Sequence, residues 1–465
     1  MRKRGIKMSN KIESLPFGKK VIYALGQLGW SLGSFGVMNL LYYFYDSNIN
    51  PDGSRMFPVF IISAAILGII AALSRVFDGI TDPLIAGLSD RSNSKFGRRR
   101  IFMAIGALPF AVLSILIFIP LSGSAIVNSV LLMVFTFLFY LFMTMYVTPF
   151  FALLSELGHT PDERLGLSTM ISITWALGFM IGNGAYAFQG MLEGAGFAPL
   201  KAFQMVVVLF AVVSVILMYL PVIFIDEKRY CETHSSSEGS FKAVINAFKN
   251  RNFLFFTLSD LTYFLALTFI QTGISFYIIQ LLGLPKEMAT LMMSVLFIMS
   301  FLFYIPVSLA AKNFGKKKLL CFAFGMFSLS WIVLSLWGIL PIPAGVQAGI
   351  AVVFAALPMA IFGILPNAIV ADIAEADGIK TGNFKAAVFF GARTFMSKMG
   401  ASVTLLIFPF ISHFGGESGG APTVAGIRLT TLTAMIFLVL GLILFLKYDE
   451  KAILETLKSK ETMEK

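Results

Sequence analysis

Long apolar runs recur along the whole of this 465-residue sequence. About twenty consecutive apolar residues are what an α-helix needs to cross the hydrocarbon core of a bilayer. Lipid admits only structures that satisfy every backbone N–H and C=O internally, so the runs dictate membrane-spanning helices. They predict spans near 20–45, 57–86, 101–121, 125–155, 167–189, 202–225, 252–282, 288–311, 318–339, 346–371, 386–412 and 426–446. The expected fold is an all-α membrane protein with twelve transmembrane helices. Only 13% of the residues are charged, against roughly 25% in a soluble domain.

The distribution of the net charge of +11 sets a topology. Lys and Arg crowd the N-terminus and the even-numbered loops: Arg91, Lys95 and Arg98 to Arg100 after helix two, Lys228, Arg229, Lys242, Lys249 and Arg251 in the centre, and Lys312 and Lys316 to Lys318 after helix eight. The odd-numbered loops hold only Arg55, Lys201 and Lys286. The positive-inside rule then puts both termini in the cytoplasm of a multi-pass protein of the cell inner membrane. No nucleic-acid partner is expected, because topology accounts for the basic residues. The basic N-terminus lacks a short apolar core followed by a small-residue cleavage site, so helix one is expected to remain as a span. Cys231 and Cys321 lie far apart, as do His159, His234 and His413, so neither a disulfide nor a resident cofactor is expected.

The longest polar stretch, 226–240, separates two sets of six spans. We expect a first bundle over 1–225, a cytoplasmic linker over 226–251 and a second bundle with its tail over 252–465. A weak repeat supports the division. Gly97-Arg-Arg-Arg100 after helix two matches Gly315-Lys-Lys-Lys318 after helix eight, and the stretch from Pro149 to Glu156 matches that from Pro366 to Asp372. Two such halves with the substrate between them at mid-membrane describe the major facilitator architecture. The segment from Phe241 to Asn252 is basic and amphipathic. It reads equally as a membrane-surface helix or as a short helix lying on the protein.

Charges inside the spans are costly, so each one needs a purpose. Asp78 and Asp82, at i and i+4, face the same side of helix two. Adjacent carboxylates in low dielectric cannot both stay ionised without a cation nearby. Lys398, in the middle of helix eleven, is a natural counter-ion. The expected cycle is that Asp78 and Asp82 bind a coupling cation and Lys398 competes for them. The alternative for Asp78 and Asp82 is a structural ion pair with Arg75 or with basic residues of the loops. Asp260 on helix seven could bind substrate hydroxyls or pair with a basic residue, and Arg393 could serve either purpose. Gln27, Asn39, Tyr42, Tyr146, Trp175, Asn183, Tyr263 and Gln271 are candidates to line a cavity, with Trp175 as a stacking platform. Asp90, Arg98, Arg99, Arg100, Glu156, Arg164, Asp372, Glu375 and Asp377 collect at cytoplasmic helix ends. They are candidate gating pairs that form and break as the halves rock, or ordinary topology-setting and solvated charges, and for the arginine run the second reading stands at least level with the first.

The run from Asp78-Gly-Ile-Thr-Asp82-Pro83 to Asp90-Arg91 and Gly97-Arg-Arg-Arg100 resembles the signature of the glycoside–pentoside–hexuronide:cation symporters. The resemblance continues at Tyr146 to Phe150, Asp162 to Arg164, Leu365-Pro366, Ala371-Asp372, Gly378 to Gly382 and Lys398, and so covers most of the chain. It implies uptake of a sugar driven by sodium, lithium or protons. It also implies Asp78, Asp82 and Thr144 as cation-site residues and Lys398 as a neighbour of the same cavity. Melibiose-type members carry a further helix-four carboxylate where Val147 aligns. Their sugar-binding acid and arginine align with Ser31 and Ser172, and their stacking tryptophan with Phe151. Melibiose is therefore not the expected cargo. Na⁺ and H⁺ both stay open as coupling cation, because Na⁺ needs several oxygen ligands. A lysolipid or other amphiphile is the alternative cargo, and a non-transporting sensor a third reading. No nucleophile–base set or phosphate loop points to an enzyme. A monomer is expected.

Overall fold

The computed structural model describes residues 13–45, 64–231, 240–284, 287–415 and 422–463. Twelve long helices run through these residues. They are α1 (Phe17–Tyr45), α2 (Ala64–Arg91), α3 (Arg100–Leu116), α4 (Ala125–Leu157), α5 (Pro161–Asn183) and α6 (Pro199–Phe224), then α7 (Arg251–Phe276), α8, α9 (Lys316–Ser335), α10 (Ala344–Thr381), α11 (Ala386–Ser412) and α12 (Val424–Leu446). Helix α8 is a bent pair, Glu287–Leu302 and Tyr304–Phe314, with a break of 47°. Pro306 follows the break. Its ring clashes with the carbonyl four residues earlier, at Leu302, and a kink at that point is the usual result.

The packing repeats with an offset of six helices. In the first half α1 lies against α5 and α6, α3 against α4 and α6, and α2 against α4. In the second half α7 lies against α11 and α12, α9 against α10 and α12, and α8 against α10. The halves meet through α2 with α11, α5 with α8 and α10, and α4 with α10 and α11. Exposed apolar side chains such as Leu405, Leu406 and Phe410 on α11, or Ile216 and Ile223 on α6, fit a lipid-facing perimeter.

Helix boundaries follow local chemistry. Thr160 caps α5 by accepting the Glu163 N–H, with Pro161 at the first helical position, and this places Arg164 on the first turn. Helix α10 runs ten residues past the end expected from hydropathy and stops at Gly382, where φ is +69°. The short helices Glu227–Tyr230, Ser240–Lys249 and Glu450–Met463 gather at one end of the bundle, where α3 and α9 begin. Ser240–Lys249 packs on α2, α7 and α11, with Ala247 buried and Ile245 exposed. It lies on the protein, as the second of the two readings had it.

Candidate transport site

Helix α2 places the Asp78 and Asp82 carboxylates side by side at the interface between the halves, 0% and 3% exposed. Lys398 reaches them from α11. Its Nζ lies 2.6 Å from Asp78 Oδ2 and 2.7 Å from Asp82 Oδ2. From α4 the Thr144 hydroxyl sits 3.0 Å from Asp78 Oδ1 and 3.1 Å from Asp82 Oδ1. Three helices, two from one half and one from the other, thus close on a single point. A glycine makes the approach possible: a Cβ at Gly391 on α11 would lie 3.2 Å from the Asp82 carbonyl. The two carboxylates share the one Lys398 ammonium. The Arg75 side chain lies outside the described residues.

The α11 stretch that carries Lys398 also borders a cavity of about 390 Å³, through Thr394 and Ser397, while Asp78, Asp82, Thr144 and Lys398 themselves are not part of its wall. The volume is within the range of small-molecule sites, roughly 300–1,000 Å³. The first half contributes Gln27, Trp30, Phe151, Ser172 and Trp175 to its wall. The second contributes Tyr263, Gln271, Asn367, Arg393, Thr394 and Ser397. Asp260 stands behind that wall, bound to Arg393 at 2.7 and 3.3 Å. Gln27, Trp175, Tyr263 and Gln271 therefore lie where the sequence placed them. Tyr146 does not. It is fully buried, stacks on Phe150 and donates its hydroxyl to the Met218 carbonyl at 3.0 Å, inside the first half. The side chains of Asn39, Tyr42 and Asn183 lie outside the described residues.

The end at which α5 starts and the short helices gather is sealed. Arg164 Nε lies 2.6 Å from Asp372 Oδ1, joining α5 to α10. Lys316 also binds Asp372, and its Nζ lies 3.4 Å from the Pro161 carbonyl. Ser168 donates to the Ile364 carbonyl at 2.6 Å and Ser172 to that of Gly363 at 2.8 Å. Asp90 accepts the Val388 N–H at 3.0 Å, at the start of α11, where a carboxylate meets the positive end of the helix.

Of the two readings of the arginine run, a gate across the halves is not what its named side-chain partners form. Arg98 binds Glu156 at 2.7 Å, and Arg99 binds Glu156 at 2.7 Å and Asp90 at 2.5 Å. Arg100 donates to the Val222 carbonyl at 2.8 Å. All of these partners belong to the first half; only Asp90 links onward. Chain order explains the outcome, because the run starts α3 beside the end of α4, within reach of Glu156. Asp377 pairs with Lys385 at 3.6 Å and accepts from Asn250, both of them residues that follow the first bundle.

Sequence reasoning missed Glu227. Its carboxylate accepts the backbone N–H groups of Arg98, Arg99 and Arg100 at 2.9 to 3.2 Å, capping α3. Gly97, at φ +107°, leaves room for it; a Cβ there would lie 2.3 Å from Glu227 Oε2. Glu450 does the same for the Lys316 and Lys317 N–H groups at 2.8 and 3.2 Å. A glutamate just after the sixth and twelfth spans was the available signal. Burial, and secondarily Glu156, raise the Glu227 carboxyl above its ordinary value against the pull of Arg99. Burial works to lower the Arg99 guanidinium, and Asp90 with Glu156 outweigh it and hold it above its ordinary value.

Residues 22–449 match the family described as MFS/sugar transport protein. The chain is 31% identical over 172 residues to a putative glycoside/cation symporter, YagG, of Escherichia coli K12, covering 37% of this chain and 34% of that one. It is 24% identical over 229 residues to the isoprimeverose transporter of Lactiplantibacillus pentosus, covering 48% of this chain and 44% of that one. The chain thus spans less than half the length of either relative. Among solved structures it is similar to the E. coli fucose:proton symporter FucP, with a TM-score of 0.66 at 14% identity over 94% of this chain and 100% of that one. That likeness shows the twelve-helix fold. These matches lend the amphiphile reading no support.

Proposed function

This chain belongs to the MFS/sugar transport protein family, whose members are carriers and not enzymes, and we propose that it is a cation-coupled symporter of a sugar or glycoside. The observation that carries this reading is the Lys398 ammonium shared by Asp78 and Asp82 under the Thr144 hydroxyl. A cation entering the cluster competes with Lys398 for the two carboxylates. Release of Lys398 frees α2 from α11, so occupancy of the site and the arrangement of the halves are linked.

The positive-inside distribution assigns the sealed, basic end to the cytoplasm. On that assignment both termini are cytoplasmic, the protein sits multi-pass in the cell membrane, and the cavity faces outward. Loading favours rocking of the halves, which breaks Arg164–Asp372 and opens the cytoplasmic end. H⁺ needs one carboxylate; Na⁺ needs several oxygens, and the two carboxylates and Thr144 offer them while Val147 on α4 offers none.

The test is uptake of labelled glycosides and pentoses into proteoliposomes under a sodium gradient, a proton gradient or neither. Accumulation above equilibrium with one gradient supports the reading and names the ion. Uptake indifferent to both gradients would refute it.

A further inference from the structure

Arg393 carries a second charge to the cavity wall, on the same helix as Lys398, and it is balanced differently. Its Nε and Nη2 donate to the Asp260 carboxylate from α7, and its Nη1 donates to Asn367 Oδ1 on α10 at 2.8 Å. A guanidinium has five N–H groups; these bonds engage three and leave two at a residue that forms the wall. Across the cavity, Gln27 is 1% exposed, and neither its Oε1 nor its Nε2 has a hydrogen-bond partner. The Trp30 Nε1–H beside it has none either. Buried polar groups are nearly always satisfied, and such orphans need an explanation. A ligand rich in hydroxyls supplies one. The rings of Trp30, Phe151 and Trp175 on the first-half wall offer a face for the apolar side of a sugar.

We propose that Arg393, Asn367 and Gln27, with Asp260 balancing Arg393 from behind the wall, form the subsite that orients the sugar, and that this subsite selects an uncharged sugar over a uronate. The inference rests on the symport reading of the same cavity and deepens it. The Arg393 charge is matched by the two-point contact with Asp260. A sugar hydroxyl can accept from Arg393 without bringing a charge of its own, because Asp260 balances the guanidinium from behind the wall. A uronate carboxylate would bring a negative charge near Asp260 and find no unmatched cation among the described wall residues. Lys398, the other cation nearby, is already shared by two carboxylates. The first-half wall residues Gln27, Trp30, Phe151, Ser172 and Trp175 are uncharged, so the charged contact with the sugar belongs to the second half.

Equilibrium exchange in proteoliposomes tests this without any gradient, and so reads the subsite separately from coupling. The probes are methyl β-glucoside, methyl β-xyloside and methyl β-glucuronide, each competing against the labelled glucoside. The native protein should exchange a neutral glycoside, with the glucuronide at least about ten-fold poorer. Arg393→Gln should raise the half-saturating concentration of the neutral sugars about ten-fold or more, the usual loss when a charge-assisted hydrogen bond goes. Asp260→Asn leaves Arg393 unmatched and should shift the preference toward the glucuronide. Because that variant also exposes a buried cation to mispairing, Asp260→Asn/Arg393→Gln serves as the balanced partner, and it should bind neither class well. The proposal fails if the native protein prefers the glucuronide, if it exchanges none of the three, or if the double variant keeps native affinity for the neutral sugars. Failure of the coupling reading looks different: exchange persists while no ion gradient drives accumulation.

Discussion

The two halves of this carrier share a scaffold and divide the chemistry. In each, a glycine at positive φ, Gly97 or Gly315, precedes a basic run whose backbone N–H groups are capped by a glutamate, Glu227 or Glu450. In each, a carboxylate near the end of the fourth helix or its counterpart takes a basic side chain from that run: Glu156 takes Arg98 and Arg99, and Asp372 takes Lys316. The likeness ends at the interface. Glu156 is filled from its own half, whereas Asp372 also holds Arg164 of the other half. The paired carboxylates stand on the first half alone, and Lys398 and Arg393 on the second alone. The repeated contacts lie within each bundle, and the contacts that cross between bundles, Lys398 with the acid pair and Arg164 with Asp372, have no repeat and can form and break during rocking.

The largest effect should come from the unrepeated acid pair. Asp78→Asn or Asp82→Asn should reduce gradient-driven accumulation to that of empty liposomes while sugar exchange persists. Concentrative uptake at the native level in either variant would break the division drawn above.

Next comes the crossing pair at the sealed end. Removing one partner of a buried ion pair costs about 3–5 kcal/mol, and here the cost falls on the sealed arrangement alone. Arg164→Gln should therefore raise thiol labelling of a cysteine introduced on α10 beside Asp372 many-fold. Arg98→Gln, which breaks a contact within one half, should raise it far less. Equal effects from the two would erase the distinction between crossing and internal contacts.

The two glycines sharpen the likeness. Replacing either by alanine forces a non-glycine residue into a sparsely allowed backbone region, at about 1–3 kcal/mol. Gly97→Ala adds a clash, since its Cβ would lie 2.3 Å from Glu227 Oε2, against 3.1 Å from Glu450 Oε2 at Gly315. Thermal unfolding in detergent should show Gly97→Ala as the more damaging.

The smallest effect concerns Glu227. Its carboxyl is raised in the folded protein by burial, so the folded state holds the proton more tightly than the unfolded chain. The stability this contributes is complete below the ordinary carboxylate value and is lost as pH rises through the raised one. Glu227→Gln should flatten that part of the stability–pH curve. A curve as steep as the native one would assign the slope to another group.

Much of this was legible in the chain because lipid makes its demands locally. A helix must be apolar for about twenty residues, so the spans could be read from hydropathy, and a carboxylate pair at i, i+4 inside one of them could be read as a site. Pairing across the fold was not legible. Arg164 and Asp372 are 208 residues apart, and the sequence offered Arg164, the arginine run and several carboxylates as interchangeable partners. Tyr146 shows the same limit from the other side: its hydroxyl looked available, yet a carbonyl of α6 had already taken it.

The sequence by itself determined twelve spans, their repeat by sixes and the residues costly enough to need a purpose, since hydropathy and charge cost are properties of each residue in its solvent. Only the tertiary structure decided which charges meet. That Lys398 closes on Asp78 and Asp82, that Arg393 is matched by Asp260, and that the arginine run turns inward to Glu156 depend on distances of a few ångströms between helices. Electrostatic attraction in low dielectric is strong only at such distances, and no pattern along the chain sets them.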